Sequence, residues 1–205
     1  METGPVIHWQ GVYAAKADTA ASWFQETPAP SLDLIGRLAP PPGPAILDVG
    51  GGASRLVDHL LARGYRDLSV LDLSATALDI AARRLGEKAD GVTWIAADMI
   101  QWTPSRAYDL WHDRAALHFL TDPTDQCLYV ERMRAGLKVG GHAILATFAP
   151  DGPERCSGLP VQRHDAASLS ALLGPDFTLV ETFPHNHVTP AGGFQTFQFS
   201  AFRRG

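Results

Sequence analysis

Cysteine is scarce. Cys127 and Cys156 are the only two in 205 residues, and they stand in no metal-type spacing. That excludes a disulfide framework and points to a reducing compartment. Runs of Lys or Arg are missing and the formal net charge is −5, which disfavours DNA or RNA as the main partner. No apolar run approaches the roughly 20 residues needed to span a bilayer. The opening METGPVIHWQ lacks a charged region followed by an apolar one, so no secretory leader is expected. There is no internal repeat and no low-complexity tract. These absences leave a cytoplasmic, soluble protein as the expectation, with neither a membrane nor a nucleic-acid partner. With 45% hydrophobic and 19% charged residues, the chain has ordinary globular composition and the length for one domain with a full core.

The N-terminal part reads as a flap and linker over residues 1–43, ahead of a core over 44–205. HWQGVYAAKADTAASWF carries Trp9, Tyr13, Trp23 and Phe24 and suits a helical or partly ordered lid. The proline-rich PAPSLDLIGRLAPPPGP holds Leu32, Leu34, Ile35 and Leu38, consistent with a helix ending at Gly36–Pro40 and then a stiff linker.

After Pro44 the pattern alternates. Short apolar runs at Ala45–Val49, Leu68–Leu73, Val92–Ala96, Tyr108–His112 and His142–Phe148 read as strands. Helices are predicted between them: Ser54–Arg63, one capped by Ser74 and closed by Gly86, and Pro123–Gly136 followed by a Gly140–Gly141 turn. Asp165 is placed to cap another, running through Leu173. Phe177–Phe183 and Phe194–Phe202 follow with no helix between, only a loop containing TPAGG, which predicts an antiparallel hairpin at one end of the sheet. Strand–helix alternation implies a mostly parallel sheet with helices on both faces. Such sheets bind ligands at the carboxyl ends of their strands.

Those ends carry informative residues. AILDVGGGASRLVDHLLARG reads strand, triple glycine, helix. Gly50 and Gly52 fit the first two positions of Gly-x-Gly-x-x-Gly, but the third falls on Arg55, whose bulk would obstruct a pyrophosphate. Asp72 ends the second strand, where a carboxylate can accept from both hydroxyls of a ribose. Asp98 ends the third, placed to accept from an adenine amino group while Met99 packs on the ring. Either acid could instead bond its own turn backbone or cap a helix.

In combination these segments resemble the class I, seven-stranded, Rossmann-like S-adenosylmethionine (SAM)-dependent methyltransferases. ILDVGGGAS is similar to the family's first motif, VLDLS to its acidic second-strand end, AADMIQW to the third, YDLWHDRAALHFL to the fourth and LKVGGHAILATF to the fifth. The chain departs at Ser54, where the family often has a third alternate glycine. The resemblance implies a three-layer α/β/α sandwich with strand order 3-2-1-4-5-7-6 and the last strand antiparallel. It implies SAM as cofactor, S-adenosylhomocysteine (SAH) as product and no metal. It also implies donor contacts from Asp48 through water, from Gly50, Gly51 and Gly52, from Asp72 with Leu73, from Asp98 with Met99, and from the backbone at His112. Trp9 and Tyr13 are expected to close on the donor.

For the acceptor side, His112, Asp113 and His118 are the expected catalytic or positioning residues. Asp113-Arg114-Ala115 is similar to the acid–base–small series of lysine-directed relatives acting on elongation factor 1A. Cys156, Arg155, Arg163 and His164 lie in the long segment after the fifth strand, and His185 and His187 share one strand face. A small-molecule acceptor is favoured over a protein lysine. Outside this class stand a nicotinamide-dependent oxidoreductase, disfavoured by Arg55 and by the absence of a Tyr-x-x-x-Lys at Tyr129, and a catalytically silent SAM-binding module.

Overall fold

The computed structural model describes residues 4–15 and 18–205. Helix α1 (Gly4–Ala15) and a short 3-10 turn (Asp18–Ala20) precede helix α2 (Ala29–Leu38). The core then runs β1 (Ala45–Val49), α3 (Leu56–Ala62), β2 (Asp67–Asp72), α4 (Ala75–Leu85), β3 (Val92–Ala96), β4 (Tyr108–Arg114), α5 (Pro123–Gly136) and β5 (Leu137–Phe148). After β5 come a two-residue ribbon, β6 (Arg155–Cys156) with β7 (Leu159–Pro160), then α6 (Ala166–Leu173), β8 (Phe177–Val188) and β9 (Phe194–Arg204). The main sheet has seven strands in the order β3-β2-β1-β4-β5-β9-β8, and β9 runs antiparallel to both neighbours. With the ribbon set aside, this is the expected 3-2-1-4-5-7-6 order.

The helices start and stop where local chemistry says they should. Ser74 Oγ accepts from the Ala77 amide, and Gly86 ends that helix at φ +59°. Asp122 accepts from the Thr124 amide with Pro123 in the first turn of α5. Asp165 and Ser168 form a reciprocal capping box on α6.

β1 is buried along its whole length because it is flanked by β2 and β4 and covered on both faces. Successive strand residues alternate between those faces. Ile46 of β1 packs with Leu32, Ile35, Val57 and Leu60 of α2 and α3. Ala45, Leu47 and Val49 pack with Tyr129, Met133 and Leu169 of α5 and α6.

Two expectations change. Gly140–Gly141 is not a turn between helix and strand but part of β5. Tyr108 pairs with Leu137 and Leu110 with His142, so residues 138–141 stand opposite Asp109 alone. Gly140 at φ +81° lets the backbone make that excursion, and Lys138 Nζ anchors it on both oxygens of Asp109, each at 2.9 Å. The segment after β5 is not a plain loop, because β6 and β7 fold it back over the sheet edge. Among the described residues no helix is long and apolar enough to cross a membrane.

Candidate active site

A cavity of about 270 Å³ opens at the carboxyl ends of the strands. One wall comes from successive strand ends: Gly50 after β1, Asp72 and Leu73 at β2, Asp98 and Met99 after β3, and Ala115 and Ala116 after β4. The rest of the lining includes Trp9 and Tyr13 of α1, Trp23, Arg114 at the end of β4, Phe119, and Cys156 and Leu159 of the β6–β7 ribbon.

The glycine turn is close-packed for definite reasons. Gly50 sits at φ +67°, and a Cβ there would lie 2.5 Å from that of Ala116. One on Gly51 would lie 2.5 Å from Asp48 Oδ2, and one on Gly52 (φ +46°) would lie 2.8 Å from the Tyr13 hydroxyl and 2.9 Å from Asp72 Oδ2. Gly50 thus faces the cavity, while Gly51 and Gly52 make room for the side chains around it. Arg55, at the failed third fingerprint position, stacks over Phe24 at 5.7 Å and leaves the turn open.

Asp72 is both a turn aspartate and a wall residue. Its Oδ1 accepts from the Ser74 amide at 2.8 Å. Burial pushes its pKa up to about 7, against the pull of backbone amides at Ser74, Gly52 and Leu73, with the nearby Asp48 adding to the rise. Asp98 likewise accepts from the Ile100 amide at 3.1 Å while lining the cavity beside Met99 and Ile100. A carboxylate for a diol, a second acid beside an apolar slot and a glycine permitting close backbone approach fit the ribose and adenine of SAM.

The three expected catalytic residues are not on the cavity wall. Strand alternation splits them: His112 faces α2 and Asp113 faces α5. His112 Nδ1 lies 2.7 Å from Asp48 Oδ1, so that nitrogen carries the proton, and Nε2 meets the Ser31 hydroxyl at 2.8 Å. Asp48 and His112 together tie β1, β4 and α2 behind the wall. Asp113 accepts from the Ala116 and Leu117 amides at 2.9 and 3.0 Å and from the Tyr129 hydroxyl at 2.7 Å. It braces the turn at Ala115, which takes φ +69°, and its pKa is raised to about 6 by burial against those hydrogen bonds. His118 is wholly buried between Phe119 and Phe148, and burial lowers its pKa to about 3 with His164 and Arg114 adding to the shift. All three are buried, and none of them lines the cavity.

The roof is an aromatic cluster. Trp9 meets Phe119 edge-on at 5.0 Å and Trp23 at 5.8 Å, and Tyr13 meets Trp23 at 6.3 Å. Burial raises the Tyr13 phenol well above its usual range. Cys156 reaches the cavity, with its thiol pushed up to about 11 by burial against the pull of Arg114. Arg155 and Arg163 are instead spent on Gly158 and on Glu154, outside the cavity. His187 bonds the Ser22 carbonyl at 2.8 Å, fastening the β8–β9 hairpin to the N-terminal segment. Among the described residues no three His, Cys, Asp or Glu side chains gather to hold a metal.

Sequence reasoning missed Arg114 and Phe119 as cavity residues. Its place at the carboxyl end of β4, where such sheets bind ligands, was the signal that would have found Arg114.

Residues 46–141 match the family model described as a methyltransferase domain. That match covers a little under half of this chain, and over that stretch the chain is similar to a methyltransferase domain. A trans-aconitate 2-methyltransferase of Acidovorax ebreus (strain TPSY) is 32% identical over 133 residues, 64% of this chain and 48% of that protein. The human eEF1A lysine and N-terminal methyltransferase is 27% identical over 157 residues, 72% of this chain but 22% of that protein. The matches therefore span about half or less of these curated relatives. Among solved structures, the N-methyltransferase NodS from Bradyrhizobium japonicum WM9, in complex with SAH, superposes with a TM-score of 0.72. It is 18% identical, with 97% of this chain and 98% of that chain covered. This likeness concerns the fold.

Proposed function

We propose that this protein is a SAM-dependent methyltransferase that transfers the methyl group of SAM to a small-molecule acceptor by in-line displacement. The observation that carries the reading is the cavity itself. Its donor wall joins Gly50, Asp72 and Asp98, and the chain's own aromatic residues roof it. Bound SAM supplies an activated methyl group, whose carbon–sulfur bond breaks with its electron pair left on sulfur as the acceptor's lone pair forms the new bond. The protein's contribution is then positioning, worth on the order of 7–11 kcal/mol for two oriented partners. Asp72 holds the ribose and Asp98 with Met99 the adenine. Trp9 and Tyr13 exclude water and offer aromatic faces to the sulfonium. The self-supplied roof favours a small acceptor over a folded protein, although likeness to the human eEF1A enzyme keeps a lysine in the test set.

Calorimetric titration with SAM, SAH, NAD and NADP side by side tests the donor assignment. Saturable binding of SAM and SAH alone is expected, and binding of a nicotinamide nucleotide would overturn it. SAH release from SAM in the presence of small acids, thiols, amines and purified eEF1A then tests the acceptor class.

A further inference from the structure

The charged residues lining the cavity divide by sign. Asp72, Asp98 and Asp125 stand along the side formed by β2, β3 and α5. Arg114 is the cation among the described lining residues. Its guanidinium donates to the Trp23 carbonyl at 2.7 Å and lies 6.0 Å from the Phe197 ring centre. No carboxylate among the described residues lies within ion-pair distance of it. Asp48 acts on Arg114 without touching it, favouring its charged form, and is hydrogen-bonded to His112. Burial draws the Arg114 pKa down to about 10, which still leaves it charged at neutral pH. Arg114 is half-buried, so a cation there without a carboxylate in direct contact is costly, and the Trp23 carbonyl satisfies one of its five N–H donors. An anion entering the cavity would relieve that cost, and the planar guanidinium fork matches a carboxylate.

The surroundings agree with an anionic ligand. The Cys156 thiol and the Tyr13 phenol beside Arg114 are both held protonated at neutral pH, so neither supplies the missing negative charge. His112, Asp113 and His118 do not line the cavity, so none of them stands beside Arg114 as a base on the wall. On the methyltransferase reading given above, on which this inference rests, we propose that the acceptor is a small carboxylate and that Arg114 is the residue that binds its anionic group.

The test uses the full chain loaded with SAH. Calorimetric titrations with trans-aconitate, succinate and benzoate are run beside the matching amides, on wild type, Arg114→Gln and Arg114→Lys. At least one acid should bind about tenfold more tightly than its amide, as a charge-assisted hydrogen bond requires. Arg114→Gln should erase that preference while SAH affinity stays within about threefold, and Arg114→Lys should restore part of it. Because Arg114 also holds the Trp23 carbonyl, a purely structural strap would weaken SAH and amide binding as much as acid binding. That result overturns the proposal, as does equal loss of SAH affinity caused by a contact with the donor's own carboxylate. Wild type that binds acids and amides alike overturns it too. If SAH itself fails to bind wild type, the donor assignment has failed, and the proposal falls with it.

Discussion

The donor wall of the cavity comes from consecutive strand ends, whereas its roof comes from α1, Trp23 and the β6–β7 ribbon. β1 is buried at every residue, while α1 buries none of its residues fully. The wall is fixed by the whole sheet. The roof is held by ring contacts around Trp9, by a hydrogen bond from Thr76 to Gln10 and by the Arg114–Trp23 contact. Elements with few buried apolar contacts open at the lowest free energy, so ligand entry should proceed through the roof while the wall stays fixed. Substitutions in the two halves should therefore fail differently: wall changes cost stability and donor affinity, and roof changes cost acceptor binding.

The largest effect should come from behind the wall. Asp113→Ala strands the Ala116 and Leu117 amides and the Tyr129 hydroxyl in a buried site. It should lower stability by about 3–5 kcal/mol, read by urea denaturation. Tyr129→Phe removes one of those bonds and should cost about 1 kcal/mol. An Asp113→Ala protein of normal stability that lost only turnover would restore Asp113 to the acceptor site.

Gly50→Ala comes next. Its Cβ would collide with that of Ala116, in a backbone conformation that L side chains rarely adopt. A cost of about 1–3 kcal/mol is expected in the same denaturation assay, together with loss of SAH binding. The same contact explains why the wall was legible in the sequence. A glycine demanded by a strand-to-helix turn and acids at the next two strand ends are local features, readable without knowing what lies across the sheet. Asp72 and Asp98 were legible for that reason.

The roof was only partly legible. Its aromatic residues were visible, but Arg114 meets Trp23 across 91 positions, and Phe119 meets Trp9 through tertiary packing. Treating His112, Asp113 and His118 as one group overlooked the two-residue period of a strand, which sends neighbours to opposite faces. The bulge at Gly140 was hidden for another reason. Paired glycines mark a turn or a strand irregularity equally well until the partner strand fixes which.

Asp72→Ala should weaken SAH binding by more than about tenfold, as loss of a charge-assisted contact predicts, with little change in fold. Unchanged affinity would detach Asp72 from the ribose. Trp9→Ala, in the roof, should leave SAH affinity closer to wild type than Asp72→Ala does. The reverse order would erase the contrast between the two halves.

The smallest effect is the most specific to Asp72. Its carboxyl is raised to about 7, chiefly by burial, so it passes from charged to neutral as pH falls through neutrality. The charged form accepts two hydrogen bonds from a diol more strongly than the neutral acid does. SAH affinity should therefore be weaker at pH 6 than at pH 8 by about five- to tenfold, following the fraction ionised. The stability consequence has the opposite sign. A carboxyl raised above its unfolded value favours the folded state when protonated, and that contribution is lost as pH rises from about 4 through about 7. Tighter binding at higher pH thus accompanies a less stable empty wall. Asp72→Asn should flatten both trends together, in calorimetry for affinity and in thermal unfolding for stability. A pH dependence of binding that survives in Asp72→Asn would place the titrating group elsewhere in the cavity.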